Sequence, residues 1–111
     1  MKTDLLTKCI EYGEREFYPG ETIKLLNMYG FRFWSWGASG FINLNNKGLV
    51  FKVKGHHHKG YVCINLAWND TYTVRLISTQ GNEKFKQEEV YCDMLFDVLD
   101  EQIERIPEYV R

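Results

Sequence analysis

The sequence predicts an α+β fold: an antiparallel meander of about five strands, open or curled into a half-barrel, with two N-terminal helices and one C-terminal helix on one face. Three features predict it. Apolar residues recur at three- and four-residue spacing at both ends of the chain, they alternate with period two through the middle, and short turn-forming segments join the alternating runs. Short links between strands mean hairpins, and helices gathered at chain ends normally cover one face of the central sheet. The 111 residues read as a single domain spanning 1–111, without repeat or linker. Seven Phe, seven Tyr and three Trp offer enough apolar area to offset the entropy of ordering, which excludes a disordered chain.

In the first helix Leu5, Leu6, Cys9, Ile10 and Phe17 share a side, with Lys8, Glu11, Glu14 and Arg15 mostly opposite and Thr3 or Asp4 as cap. Pro19-Gly20 interrupts it, because proline lacks a donor and disfavours helix in the residue before it. A second, short helix over about 21–29 has Ile23, Leu25, Leu26 and Met28 as its apolar content, and Gly30 is placed to end it. From Phe31 the period becomes two. The aromatic run Phe31 to Trp36 has strand propensity, with Arg32, Trp34 and Trp36 on one side. The tryptophans either anchor the core or form an outward stacking platform, while Trp68 sits in a turn and is partly exposed. Further strands centre on Ile42 and Leu44, Leu49 to Val53, Val62 to Leu66 and Tyr72 to Leu76, and a weak additional edge strand is readable from Lys84 to Glu88. Asn45-Asn46-Lys47-Gly48, the stretch from Gly55 to Gly60, Trp68-Asn69-Asp70 and Gln80-Gly81-Asn82 supply the turns. The last helix has the clearest stripe, Tyr91, Met94, Leu95, Val98, Leu99, Gln102, Ile103 and Ile106. Asp97, Asp100, Glu101 and Glu104 form its wet side, and Pro107 stops it.

The alternation places Ile42, Leu44, Leu49, Phe51, Val53, Val62, Ile64, Leu66, Tyr72, Val74 and Leu76 against the helices. It leaves Val50, Lys52, Lys54, Tyr61, Cys63, Asn65, Thr73, Arg75 and Ile77 on an uncovered face. The charge map agrees. Residues 31–60 hold Arg32, Lys47, Lys52, Lys54 and Lys59 and no acid, whereas residues 85–111 carry eight acids against three bases, so the net charge of −1 conceals a dipolar chain. The predicted binding surface is Lys52, Lys54, His56, His58, Lys59, Tyr61 and Arg75. Such a face suits a protein partner or a second copy offering its acidic helix. Cations beside rings also suit single-stranded nucleic acid, whose phosphates pair with Lys and Arg while bases stack.

His56-His57-His58 lies between Gly55 and Gly60 and reads as a solvated hairpin tip that gains charge below about pH 6.5. His56 and His58 project to one side, but two ligands without a third predict no metal site. No Gly-rich phosphate loop, Gly-x-Ser-x-Gly or His-Glu-x-x-His occurs, so the sequence predicts neither an enzyme nor a cofactor. Asp93/Asp97 and Asp97/Glu101 read as a solvated helix face. Cys9, Cys63 and Cys92 are widely spaced, as expected of structural thiols in a reducing compartment. The opening Met1-Lys2-Thr3-Asp4-Leu5 lacks the apolar region of a signal peptide, and no apolar run approaches the roughly 18–20 residues of a membrane span. The expectation is a soluble cytoplasmic protein without membrane contact.

At Phe33-Trp34-Ser35-Trp36-Gly37, at Phe51-Lys52-Val53-Lys54-Gly55-His56-His57-His58-Lys59-Gly60 and at Met94-Leu95-Phe96-Asp97-Val98-Leu99-Asp100, the chain resembles small uncharacterised proteins of phages and mobile elements of gut Bacteroidetes. The resemblance covers roughly the last two-thirds of the chain and carries no activity or site residues. It implies an accessory role in phage or plasmid biology.

Overall fold

The computed structural model describes residues 2–104. Helix α1 (Lys2–Tyr12) is followed by α2 (Pro19–Asn27) and the single-turn α3 (Phe31–Trp34). Five strands come next, β1 (Ser39–Asn43), β2 (Leu49–Lys54), β3 (Lys59–Leu66), β4 (Tyr72–Ser78) and β5 (Glu83–Val90), and α4 (Leu95–Ile103) closes the described chain. The strands lie in sequence order, each antiparallel to its neighbour, and the sheet stays open rather than closing into a barrel. None of the helices among the described residues is long and apolar enough to cross a membrane.

The predicted meander is present, but its membership is shifted at both ends. Phe31 to Trp36 is not a strand: Gly30, at φ 56°, starts a helical turn there. Phe33 and Trp36, three residues apart, turn inward while Phe31 and Trp34 stay exposed. A short aromatic run fits either period, and here the three-residue one wins. In its place the weak edge from 84 to 88 is the middle of an eight-residue strand, β5. Pro19 does not simply interrupt; it occupies the first turn of α2, where its missing amide costs nothing. α1 already contains Thr3 and Asp4, so neither stands at a cap.

α2, α3 and α4 cover one face of the sheet, called the first. Leu26, Phe33, Trp36, Leu95, Phe96, Leu99 and Ile103 pack there on Leu49, Phe51, Val53, Val62, Ile64, Val74 and Leu76. Phe96 is stacked between Tyr29 (centroids 3.9 Å) and Trp36 (5.0 Å). Trp36 Nε1–H donates to Asp100 Oδ1 at 2.8 Å, so Asp100 is buried instead of belonging to the wet side of α4. Tyr91 and Met94 precede α4 and are exposed rather than part of its stripe. Ile106 and Pro107 lie outside the described residues.

The expectation that every helix covers one face does not hold, because α1 lies on the second. Leu5 and Cys9 pack there against Leu44, Val50, Cys63 and Ile77. The link from 13 to 18 carries the chain around one end of the sheet. Arg15 N–H donates to Leu66 O and pairs with Asp70, and Phe17 N–H donates to Asn46 O before its ring enters the first core. Phe17 is therefore not part of the first helix. Strand β1 is also reversed relative to its alternation. A bulge between Ser39 and Ile42, with Gly40 at φ 64°, sets Ile42 opposite Val50, so Ile42 and Leu44 join the second face while Phe41 stacks on Phe51 across the first.

Candidate functional site

The hairpin β2–β3 organises the predicted surface. Its register sets Lys52 opposite Tyr61 and Lys54 opposite Lys59, on the face that carries α1. Lys52, Lys54 and Lys59 are exposed and Tyr61 is half-buried. Directly opposed like charges on adjacent strands are mutually unfavourable. Among the described residues no acidic side chain forms an ion pair with any of these lysines.

The tip of the hairpin is anchored rather than loose. His56 N–H donates to Glu104 Oε1 and His57 N–H to Ile103 O, both at 2.7 Å, so the tip is bound to the end of α4. Gly55 permits this approach, since a Cβ there would stand 2.3 Å from Ile103 Cγ2. His56 remains exposed beside the lysines, but His58 does not. It is 8% exposed, its ring lies over Gly60 on the first face, and Nε2–H donates to Tyr61 O at 3.2 Å. Burial holds its pKa below the ordinary 6.5, and nearby Lys84 lowers it further, against the pull of the Tyr61 carbonyl. His58 therefore does not belong to the cationic surface, and mild acid does not readily charge it.

Arg75 is likewise removed. It is 7% exposed, its guanidinium lies 3.7 Å from the Tyr12 ring centroid of α1, its Nη1 donates to Asn65 Oδ1, and its Nε is 3.3 Å from Glu83 Oε1. Asn65 is the hub of this region. Its Nδ2 donates to Cys9 O and Lys47 O, both at 2.9 Å, joining α1 to the β1–β2 turn, and its Oδ1 also accepts from Cys63 Sγ. The alternation marked Asn65, Thr73 and Arg75 as solvated. All three are instead buried, Asn65 and Arg75 bonded to each other beneath α1, and one apolar stripe on α1 was the only sequence signal of that cover. The Cys63 thiol, hydrogen-bonded with Cys9 and buried, is pushed up in pKa and away from thiolate chemistry.

What remains is a cationic end of the second face made by Lys52, Lys54 and Lys59, with His56 and the edge of Tyr61. Beside it, where the start of α1 crosses β1 and β2, lies a cavity of about 70 Å³. Larger openings lie elsewhere: a recess of about 210 Å³ is lined by Leu5, Lys8 and Tyr12 of α1 with Ile77, Gln80, Gly81 and Glu83, and the others are shallow. One of about 480 Å³ sits at the opposite end of the sheet near Trp68, Glu14 and Glu88. No group of three or more His, Cys, Asp or Glu side chains that could hold a metal ion occurs among the described residues. Of the tryptophans, Trp36 is core, whereas Trp34 (63% exposed) and Trp68 (73%) are on the surface, Trp68 at the opposite end of the sheet.

These features define an open α+β sheet, layered on both faces, with one charged end. No protein-family model, curated protein or solved structure matches the chain.

Proposed function

We propose that the protein is a non-enzymatic binding module whose cationic sheet end, Lys52, Lys54 and Lys59 with His56 and Tyr61, engages an acidic protein surface. The observation that carries this reading is the register: Lys54 faces Lys59 across the hairpin, both exposed, beside Lys52. The chain bears the cost of that apposition, and an anionic partner relieves it. The same reading places the module in a reducing cytoplasm, where the free thiols Cys9, Cys63 and Cys92 persist. Single-stranded nucleic acid is the weaker alternative, because it needs exposed stacking rings among the cations and Tyr61, the ring set opposite Lys52, is half-buried.

Titration with poly-glutamate and with a single-stranded oligonucleotide at two ionic strengths tests the proposal. Poly-glutamate should bind at low salt and release near 1 M salt, where the Debye length falls to about 3 Å. Lys54→Glu and Lys59→Glu should each weaken it several-fold, while Lys24→Glu on α2 should not. Absence of poly-glutamate binding at low salt overturns the reading, and preferential, Tyr61-dependent binding of the oligonucleotide replaces it with the nucleic-acid one. Sedimentation under the same two conditions tells a second copy from a different partner.

A further inference from the structure

We infer that the acidic partner anchors itself with an aliphatic side chain inserted between α1 and β1, directly beside the lysines. This inference rests on the binding reading above and specifies what the partner must carry. The cavity there is lined by Leu5 and Leu6 of α1, Ile42 of β1, Val50 and Lys52 of β2, and Tyr61 of β3. Leu5 and Val50 form its buried floor, while Leu6, Ile42 and Tyr61 are half-buried around it. Its mouth is kept open by β1. Gly40 sits at the bulge with φ 64°, and a Cβ built there would meet nothing within 4 Å.

Size and charge together select the occupant. A volume of about 70 Å³ is about half the roughly 150 Å³ of an engineered cavity that binds benzene, so the site suits one branched aliphatic side chain and excludes a ring. The lining is mostly apolar, with Ser39, Lys52 and Tyr61 as its polar residues. Lys52 is common to the cavity and to the cationic end, and Lys54 and Lys59 continue from it along the hairpin. A segment that places leucine, isoleucine or valine in the cavity thus sets neighbouring carboxylates over the lysines. Burying the side chain supplies affinity, and the charges set orientation and encounter rate.

A blocked glutamate-rich peptide with one central leucine, compared with the same peptide bearing alanine instead, tests this. The leucine peptide should bind at least about tenfold more tightly, the equivalent of burying one aliphatic side chain. Ile42→Phe, which fills the cavity, should abolish that difference while leaving the alanine peptide unchanged, with thermal melting used to verify that the variant folds. Methyl-labelled leucine in the bound peptide should show contacts to Leu6 and Ile42 methyls in the wild-type protein. Equal affinity of the two peptides overturns the anchor and leaves the charge reading standing. Failure of both peptides to bind at low salt overturns the two together. A leucine peptide with glutamine in place of glutamate that binds equally well overturns the claim that the anchor belongs to an acidic segment.

Discussion

Two residues expected on one charged surface, His58 and Arg75, show how burial converts a side chain's role. Each has the residue type of a ligand contact, Arg75 on a strand and His58 in the hairpin tip. His58 turns beneath the sheet and donates to a carbonyl, and Arg75 is covered by Tyr12, donates to Asn65 and forms an ion pair with Glu83. The depressed pKa of His58 has a consequence for stability, with a definite sign. Below the ordinary value of 6.5 the unfolded chain takes up a proton that the folded chain resists, so stability contributed by neutral His58 is intact above that pH. It declines as pH falls through the lowered folded value. Thermal melts between neutral pH and about pH 5 should therefore show a loss of stability that His58→Gln flattens, and an unchanged slope in the variant would assign the loss elsewhere.

Among the elements, α3 does most with least sequence. Trp34 and Trp36 have equivalent positions in a strand but opposite ones in a helical turn, and the structure places one outside and one at 0% exposure. Trp36→Ala should cost about 3–5 kcal/mol, since it empties a site between Phe33 and Phe96 and removes the indole hydrogen bond to buried Asp100. Trp34→Ala should change stability by about 0.5 kcal/mol, as exposed positions usually do. Urea denaturation of the two variants separates these outcomes. The meander, its turns and the apolar positions of β2, β3 and β4 were legible because alternation and turn chemistry are local properties. The Asn45-Asn46 turn, with both residues at positive φ, is a clear instance. Three things were not legible. Four aromatic residues in six fit two periods, the bulge at Gly40 reverses β1 without altering its composition, and the side on which α1 docks depends on the path of residues 13–18 and not on its stripe. Of the candidate site, Lys52, Lys54, Lys59, Tyr61 and His56 were readable as outward strand or turn positions. The cavity beside them was not, since it exists only where α1 crosses β1.

At the scale of the whole molecule, one sheet separates two cores of unequal size. The first draws on α2, α3, α4 and most of the sheet, and the second rests chiefly on Leu5, Cys9 and the residues beneath them. The link joining them is held by few backbone contacts, at Arg15 and Phe17. Native-state hydrogen exchange should reflect this inequality: amides of α1 should exchange through a sub-global opening of lower free energy than those of β3, β4 and α4. Equal protection throughout would mean that the layers melt as one. The consequence reaches the cavity, one wall of which is Leu5 and Leu6 of α1. Any transient detachment of that helix dismantles the recess while the lysine hairpin persists, so a tightly seated ligand should slow α1 exchange more than it slows exchange anywhere else in the chain.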